Sequence, residues 1–279
     1  MRRPSFASAG YRDLARWLPR AIDTGQACVA ADETPDSLAI LARIYLAASS
    51  TAVKLGRLDL AWISTDRAVL AAGRSGDVLA QAEAAREVAI LSRKAGRLGQ
   101  AVRVAVDTAD RLDATGLSDP KKLAQHGLLL ATAGYAAALA GDRGYSDDLL
   151  NGAAADARSL GATCGYGAFG MANLASYRVS ASWALGDAGT AIAHARTVPV
   201  AMIATTERLE RYWIDVARAW QRWGKPVECF RSLLAAERAS PQAVRVRPVV
   251  HSVTTWLLGA PTTVGLSGLR EFATRIVTT

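Results

Sequence analysis

Lys94-Ala-Gly-Arg-Leu-Gly-Gln-Ala-Val102 is the stretch on which the fold turns, because the chain repeats its grammar. The same pattern stands at Lys54-Leu-Gly-Arg-Leu-Asp-Leu-Ala-Trp62, Leu139-Ala-Gly-Asp142, Ala184-Leu-Gly-Asp-Ala-Gly-Thr-Ala-Ile192 and Arg222-Trp-Gly-Lys-Pro-Val-Glu-Cys-Phe230. Each has an apolar or basic helix end, a glycine free to adopt the left-handed C-cap, and a polar residue that opens another amphipathic run. The glycines at 56, 96, 141, 186 and 224 are spaced by 40, 45, 45 and 38 residues, a repeat of two helices per unit. No stretch alternates at period two between turn pairs, so strand signals are absent.

Working outward, Thr34-Pro35-Asp36 is a helix start: Thr caps, Pro opens the first turn, and Asp suits the positive end of the dipole. Leu38, Leu41, Ile44, Tyr45 and Ala48 then keep helical spacing, predicting a helix over 37–55. Similar runs predict helices over 77–95, 119–140, 147–160, 171–185, 206–223 and 244–258, with a weaker one over 11–30. Many faces use alanine, as in Ala136-Ala-Ala138, because tightly turned antiparallel helices approach to roughly 8 to 10 Å. The expected fold is an all-α, tetratricopeptide-like right-handed solenoid of about six helical hairpins, lined on its concave wall by the first helix of each pair. Residues 1–36 read as an N-terminal helix and linker, 37–258 as the repeat domain and 259–279 as a C-terminal capping helix.

Composition narrows the function classes. The chain has 279 residues, 33 Lys or Arg against 25 Asp or Glu, a net charge of +8, and is 51% hydrophobic, too apolar for a disordered chain. Only Lys54, Lys94, Lys121, Lys122 and Lys225 are lysines, a bias typical of GC-rich coding, which weakens the basic charge as an argument for nucleic acid. Cys28, Cys164 and Cys229 fit neither a disulfide framework nor a CxxC pair, and Met1 to Ala9 has no signal-peptide core, so a cytoplasmic protein is expected. Residues 123–141 and 159–177 each lack charge for 19 residues, yet both read better as close-packed helix and connector than as membrane spans. His126, His194 and His251 stand in different repeats without ligand spacing, so no metal, no cofactor and no catalytic set is expected, and an enzyme is the least favoured reading. Long antiparallel hairpins are not groove-reading pairs, so sequence-specific DNA binding by this chain alone is not expected.

The most informative face is on the helix over 206–223, where Arg208, Arg211, Asp215, Arg218 and Arg222 recur at steps of three and four. One reading is an inner-wall cationic ladder for an acidic ligand, with Asp215 orienting guanidinium groups; the other is a solvated face with ion pairs Glu207 to Arg211, Arg211 to Asp215 and Asp215 to Arg218. Earlier first helices offer Glu83, Arg86 and Glu87, then Gln125 and Thr132, then Asn173, Tyr177 and Ser180, together a groove of mixed polarity. Asn173 reads equally as a helix-terminal hydrogen-bonder and Tyr177 as a rim aromatic. The glycine-rich connector Gly161-Ala-Thr-Cys-Gly-Tyr-Gly-Ala-Phe-Gly170 reads either as a gate presenting Tyr166 and Phe169 or as a loop that packs Phe169 into the core.

The turn Leu55-Gly-Arg-Leu-Asp-Leu-Ala-Trp62, the segment Ala168-Phe-Gly-Met-Ala-Asn-Leu-Ala-Ser-Tyr-Arg-Val179, and Glu207-Arg-Leu-Glu-Arg-Tyr-Trp-Ile-Asp-Val-Ala-Arg-Ala-Trp220 resemble the C-terminal tetratricopeptide-like region of actinobacterial Xre-type helix-turn-helix regulators. The resemblance runs from about Tyr11 to Leu258, and Phe169-Gly170 with Asn173, followed by Asp215-Val-Ala-Arg218, carries it most specifically. It implies a module that couples a small molecule, peptide or protein partner to an N-terminal DNA-binding domain. This chain departs in having Met171-Ala-Asn173 where the family has Pro-Thr-Asn, and in lacking the helix-turn-helix, which makes it a fragment or a stand-alone relative. The expectation is a ligand- or partner-binding module of a transcriptional regulatory system, homodimeric through a terminal repeat; the alternative is a stand-alone interaction scaffold, or as the least favoured reading an enzyme, of a biosynthetic gene set.

Overall fold

Gly56, Gly96, Gly141, Gly186 and Gly224 all adopt positive φ, from 69° to 86°. At each, the amide of the following residue donates to the carbonyl five positions back: Arg57 to Ala52, Arg97 to Ser92, Asp142 to Ala137, Asp187 to Ser182 and Lys225 to Trp220. These are five Schellman turns, and a side chain at the glycine would meet the left-handed penalty of about 1–2 kcal/mol. The computed structural model describes residues 10–161, 169–203, 205–260 and 266–277.

The turns join α2 (Pro35–Lys54) to α3 (Leu58–Ser75), α4 (Val78–Lys94) to α5 (Leu98–Asp113), α6 (Pro120–Leu139) to α7 (Arg143–Leu160), α8 (Met171–Ala184) to α9 (Ala188–Thr197), and α10 (Thr206–Arg222) to α11 (Pro226–Ala239). The first helix, α1 (Tyr11–Ala31), packs along α2, and the chain ends in α12 (Pro241–Val246), α13 (Pro248–Gly259) and α14 (Leu269–Val277), of which α13 and α14 pair. No strand occurs among the described residues, and the molecule is an all-α, tetratricopeptide-like solenoid.

Starts follow the expected chemistry. Thr34 and Ser37 form a reciprocal capping box, and the carboxylates of Asp142 and Asp187 accept from the amides of Tyr145 and Thr190. Because Asp142 caps immediately after its glycine, α7 begins at Arg143, four residues ahead of the sequence expectation. The helix expected over 244–258 divides, since Pro248 disfavours the helical conformation at Arg247, which is extended at φ −90° and ψ 117°.

The core is a chain of local clusters, each shared by neighbouring helices. Buried leucines and isoleucines such as Leu129, Leu174 and Ile192 each contribute about 1.5–3 kcal/mol. The hub is α6, buried almost all round beyond Lys122, which explains why its sequence is uncharged from Leu123 onward; none of the described helices is long and apolar enough to cross a membrane. Its Gly127 lets the Phe169 ring lie against the backbone, and a methyl there would overlap that ring. At the C-terminus α14, within the segment 259–279 expected to cap the repeats, buries Leu269, Phe272 and Ile276.

The stack bends until its ends meet. Lys54 at the end of α2 pairs with Glu207 at the start of α10, 2.5 Å apart and 153 residues distant in sequence. Beside them Tyr11 of α1 packs on Ala243 and Val246 of α12, and the Pro248 ring faces Gly56. The open trough expected from the repeat pattern is therefore closed into a ring around a central cavity.

Candidate functional site: a cationic cavity on the inner wall

The first helix of every pair faces inward, and together they line a half-open cavity of about 520 Å³. Lys54 comes from α2, Arg86, Arg93 and Lys94 from α4, Thr132 and Tyr135 from α6, Tyr177 from α8, Arg208, Arg211 and Arg218 with Glu207 and Asp215 from α10, and Arg247 from the α12–α13 junction. Eight cationic side chains thus face two carboxylates, with Val53, Ile90 and Val249 supplying apolar wall.

On α10 the helical spacing brings Asp215 between Arg211, 3.7 Å away, and Arg218, 3.3 Å away, and Ser180 donates to the same carboxylate over 2.7 Å. Burial works against the Asp215 carboxylate, but Arg211, Arg218 and Ser180 hold it below the usual range. The Arg218 guanidinium also lies 3.6 Å from the Trp183 ring centroid, a cation–π contact that holds it alongside its pairing with Asp215. Arg208, Arg211, Asp215 and Arg218 line the inner wall, whereas Arg222, the last rung, is exposed outside the cavity; the Arg211 to Asp215 and Asp215 to Arg218 pairs of the alternative reading are present as well.

Tyr177 lies at the meeting point of three helices. Arg86 donates from Nη2 to its hydroxyl over 2.9 Å and from Nε to Thr132 Oγ1 over 3.1 Å, while Arg211 stacks 5.1 Å from its ring centroid. Burial opposes ionisation of the phenol, yet Arg86, Arg211 and Arg208 bring it down to about 6. Desolvation and the surrounding cations Arg93, Arg247, Lys54 and Arg211 bring Lys94 down to about 8. Both shifts report the same field: positive potential that favours an anion and disfavours one more proton.

The seam of the ring is made of buried ion pairs. Glu207 is held at about 2, burial notwithstanding, by Lys54, Arg208 and Arg211; its ion pair is with Lys54 from the far end of the chain, whereas Arg211, the expected partner, pairs with Asp215. Glu210, fully buried, accepts from Arg247 Nη1 at both oxygens over 2.9 Å. Burial nonetheless raises the Glu210 carboxyl above its ordinary range.

Arg86 and Arg208 also border a second chamber of about 730 Å³, whose wall includes Glu83, Glu87, Gln125, Leu46 and Leu128. Glu83 is tied to Arg43 over 3.0 Å, and Glu87 accepts from Ser49 and Ser50. Gln125 is 3% exposed and its Nε2 has no hydrogen-bond partner.

Of the residues singled out from sequence, Arg86, Thr132, Tyr177, Arg211, Asp215 and Arg218 meet in the first cavity, and Glu83, Arg86 and Gln125 in the second. Ser180 stands behind Asp215 as its hydrogen-bond donor, and Asn173 is buried in α8 outside both linings, its Oδ1 unpartnered. Phe169 is not a gate: its ring is fully buried against α6 because Gly127 leaves room for it. Tyr166, the other proposed gate residue, lies outside the described residues. Sequence reasoning missed Lys54, Arg93, Lys94 and Arg247. Lys54 and Lys94 occupy equivalent positions, two residues before successive turn glycines, and that repetition was the available signal; Arg247 had none, since it was expected inside a helix. The three histidines are scattered, His126 on Asp156 and His251 on the Arg245 carbonyl, and no group of three metal-ligating side chains occurs among the described residues.

The chain is similar in structure to BtubC (BKLC) from P. vanneervenii, with a TM-score of 0.54 at 14% identity over 85% of this chain and 91% of that one, a likeness of fold alone. No protein-family model matches the chain, and no curated protein does.

Proposed function

We propose that the chain is a ligand-binding helical-repeat module that takes an anionic small molecule in its central cavity and acts within a cytoplasmic transcriptional regulatory system. The observation that carries the binding reading is the eight-to-two excess of cationic over anionic side chains around a half-open cavity of about 520 Å³, within the ordinary range for small-molecule sites. Holding so many like charges together is costly, and an anion relieves the cost. The regulatory role rests on the resemblance to the sensor region of Xre-type regulators and is a proposal of the same standing.

Calorimetric titration of the full chain with inorganic pyrophosphate and with citrate at low ionic strength tests the binding reading. Arg211→Glu together with Arg218→Glu is expected to weaken whichever binds by about tenfold or more, the value of losing charge-assisted contacts. Indifference of the chain to both anions would refute the reading, as would binding that survives both reversals. A second reading, a scaffold that binds a protein or a second copy of itself, is favoured by the outer face of α3, where Leu60, Ile63 and Leu70 stand 45%, 60% and 58% exposed along one stripe. Light scattering on the purified chain, before and after Ile63→Glu and Leu70→Glu, tests self-association through that stripe.

A further inference from the structure

We infer that the two chambers form one bipartite site for a pyrophosphate-bearing small molecule, with the diphosphate in the cationic chamber and a neutral, acceptor-bearing body in the other. The inference rests on the anionic-ligand reading above and goes beyond it in naming the anion and the direction in which the rest of the ligand runs.

Three observations select this class. The cations of the first chamber arrive from α2, α4, α10 and the α12–α13 junction, so they surround the space instead of approaching it from one side. A lone carboxylate offers two oxygens in a plane and a single charge, whereas a diphosphate presents acceptor oxygens in every direction with two or three charges, matching both the excess and its distribution. Part of the excess is already engaged, in Lys54 with Glu207, Arg247 with Glu210, and Arg211 and Arg218 with Asp215; Arg93, stacked 4.5 Å from the Tyr135 ring centroid with an unpartnered Nε, is among the donors left for a ligand.

The shared border of the two neighbouring chambers supplies the second half of the site. Arg86 and Arg208 border both, so a group held by these two in the first chamber directs its substituent into the second. That chamber changes character: Leu46 and Leu128 give apolar surface, and Asp77, Glu83 and Glu87 nearly balance Arg43, Lys121 and the two shared arginines, so the large positive excess of the first chamber is not repeated. Gln125 there holds a buried amide donor with no partner, and a buried unsatisfied donor is costly unless a ligand oxygen or ring nitrogen accepts from it. The substituent that fits is neutral, partly apolar and equipped with an acceptor.

The test uses the full chain with three probes, inorganic pyrophosphate, citrate and UDP, whose uracil carries two carbonyl acceptors. Pyrophosphate is expected to bind more tightly than citrate, and UDP more tightly than pyrophosphate by about fivefold, the value of one additional buried hydrogen bond. Gln125→Leu, close in volume, is expected to remove the UDP gain and leave pyrophosphate affinity unchanged, which also shows that the variant is folded. Citrate binding as tightly as pyrophosphate would overturn the diphosphate assignment while leaving the anionic cavity standing. Equal affinity for UDP and pyrophosphate, or a UDP gain that survives Gln125→Leu, would overturn the two-chamber arrangement. Absence of binding by all three probes would remove both this inference and the reading beneath it.

Discussion

Tyr177 is the residue on which the electrostatics of the cavity can be read directly. Its phenol is buried, which raises the pKa, but Arg86 from α4 and Arg208 and Arg211 from α10 bring it from 10 to about 6. Ultraviolet difference titration is expected to show one of the seven tyrosines ionising with a midpoint near 6, and Tyr177→Phe to abolish that step. The sign for stability follows from linkage: a group whose pKa falls on folding contributes fully above its unfolded value near 10 and loses the contribution as pH drops through about 6. Anion binding runs the other way. Between pH 6 and 9 the Tyr177 phenol gains a negative charge and Lys94, at about 8, loses its positive one, so sulfate, whose own charge is constant there, is expected to bind progressively more weakly. Isothermal titration at three pH values checks this, and affinity that is flat or rises with pH would contradict it. Arg247 and Glu210 give a second residue-scale test. Arg247→Met leaves the Glu210 carboxylate buried and uncompensated and is expected to cost about 3–5 kcal/mol in urea unfolding.

The unit of construction among the elements is the hairpin with its Schellman turn. Gly96 isolates the turn from everything else, because no heavy atom lies within 4 Å of where its Cβ would stand. Gly96→Ala is therefore expected to cost about 1–2 kcal/mol from backbone strain alone, whereas Gly127→Ala adds a clash with the buried Phe169 ring and is expected to cost more. Denaturant midpoints of the two variants separate the effects. These elements were legible in the sequence because turn chemistry and helical periodicity are local: Thr34, Asp187 and the five glycines each act within a few residues of themselves. The α10 ladder was legible for the same reason, since Arg211, Asp215 and Arg218 meet through helical spacing. Lys54 and Arg247 were not, because nothing local says that α2 will meet α10, or that Pro248 will turn an expected helical arginine toward Glu210. Phe169 was read both ways, and the choice depended on Gly127 of α6, some forty residues earlier in the chain.

At the scale of the whole molecule, a nearest-neighbour stack has been converted into a ring by one seam. Lys54→Glu sets like charges together at that seam and is expected to open it, raising the radius of gyration in small-angle X-ray scattering and speeding amide exchange in α1 and α12. An unchanged scattering profile would show that the curvature of the stack, and not the Lys54 to Glu207 pair, holds the ends together. Because Lys54 and Glu207 belong to the seam and to the cavity wall at once, an anion held as proposed above is expected to couple occupancy of the cavity to closure of the ring.

That shared position gives the packing of Tyr11 against Ala243 a practical meaning. Tyr11 opens α1 directly over the joint between the first and final repeats. A fluorescent label attached through Arg12→Cys, exposed beside that joint, would register filling of the interior as a hinge movement felt from outside.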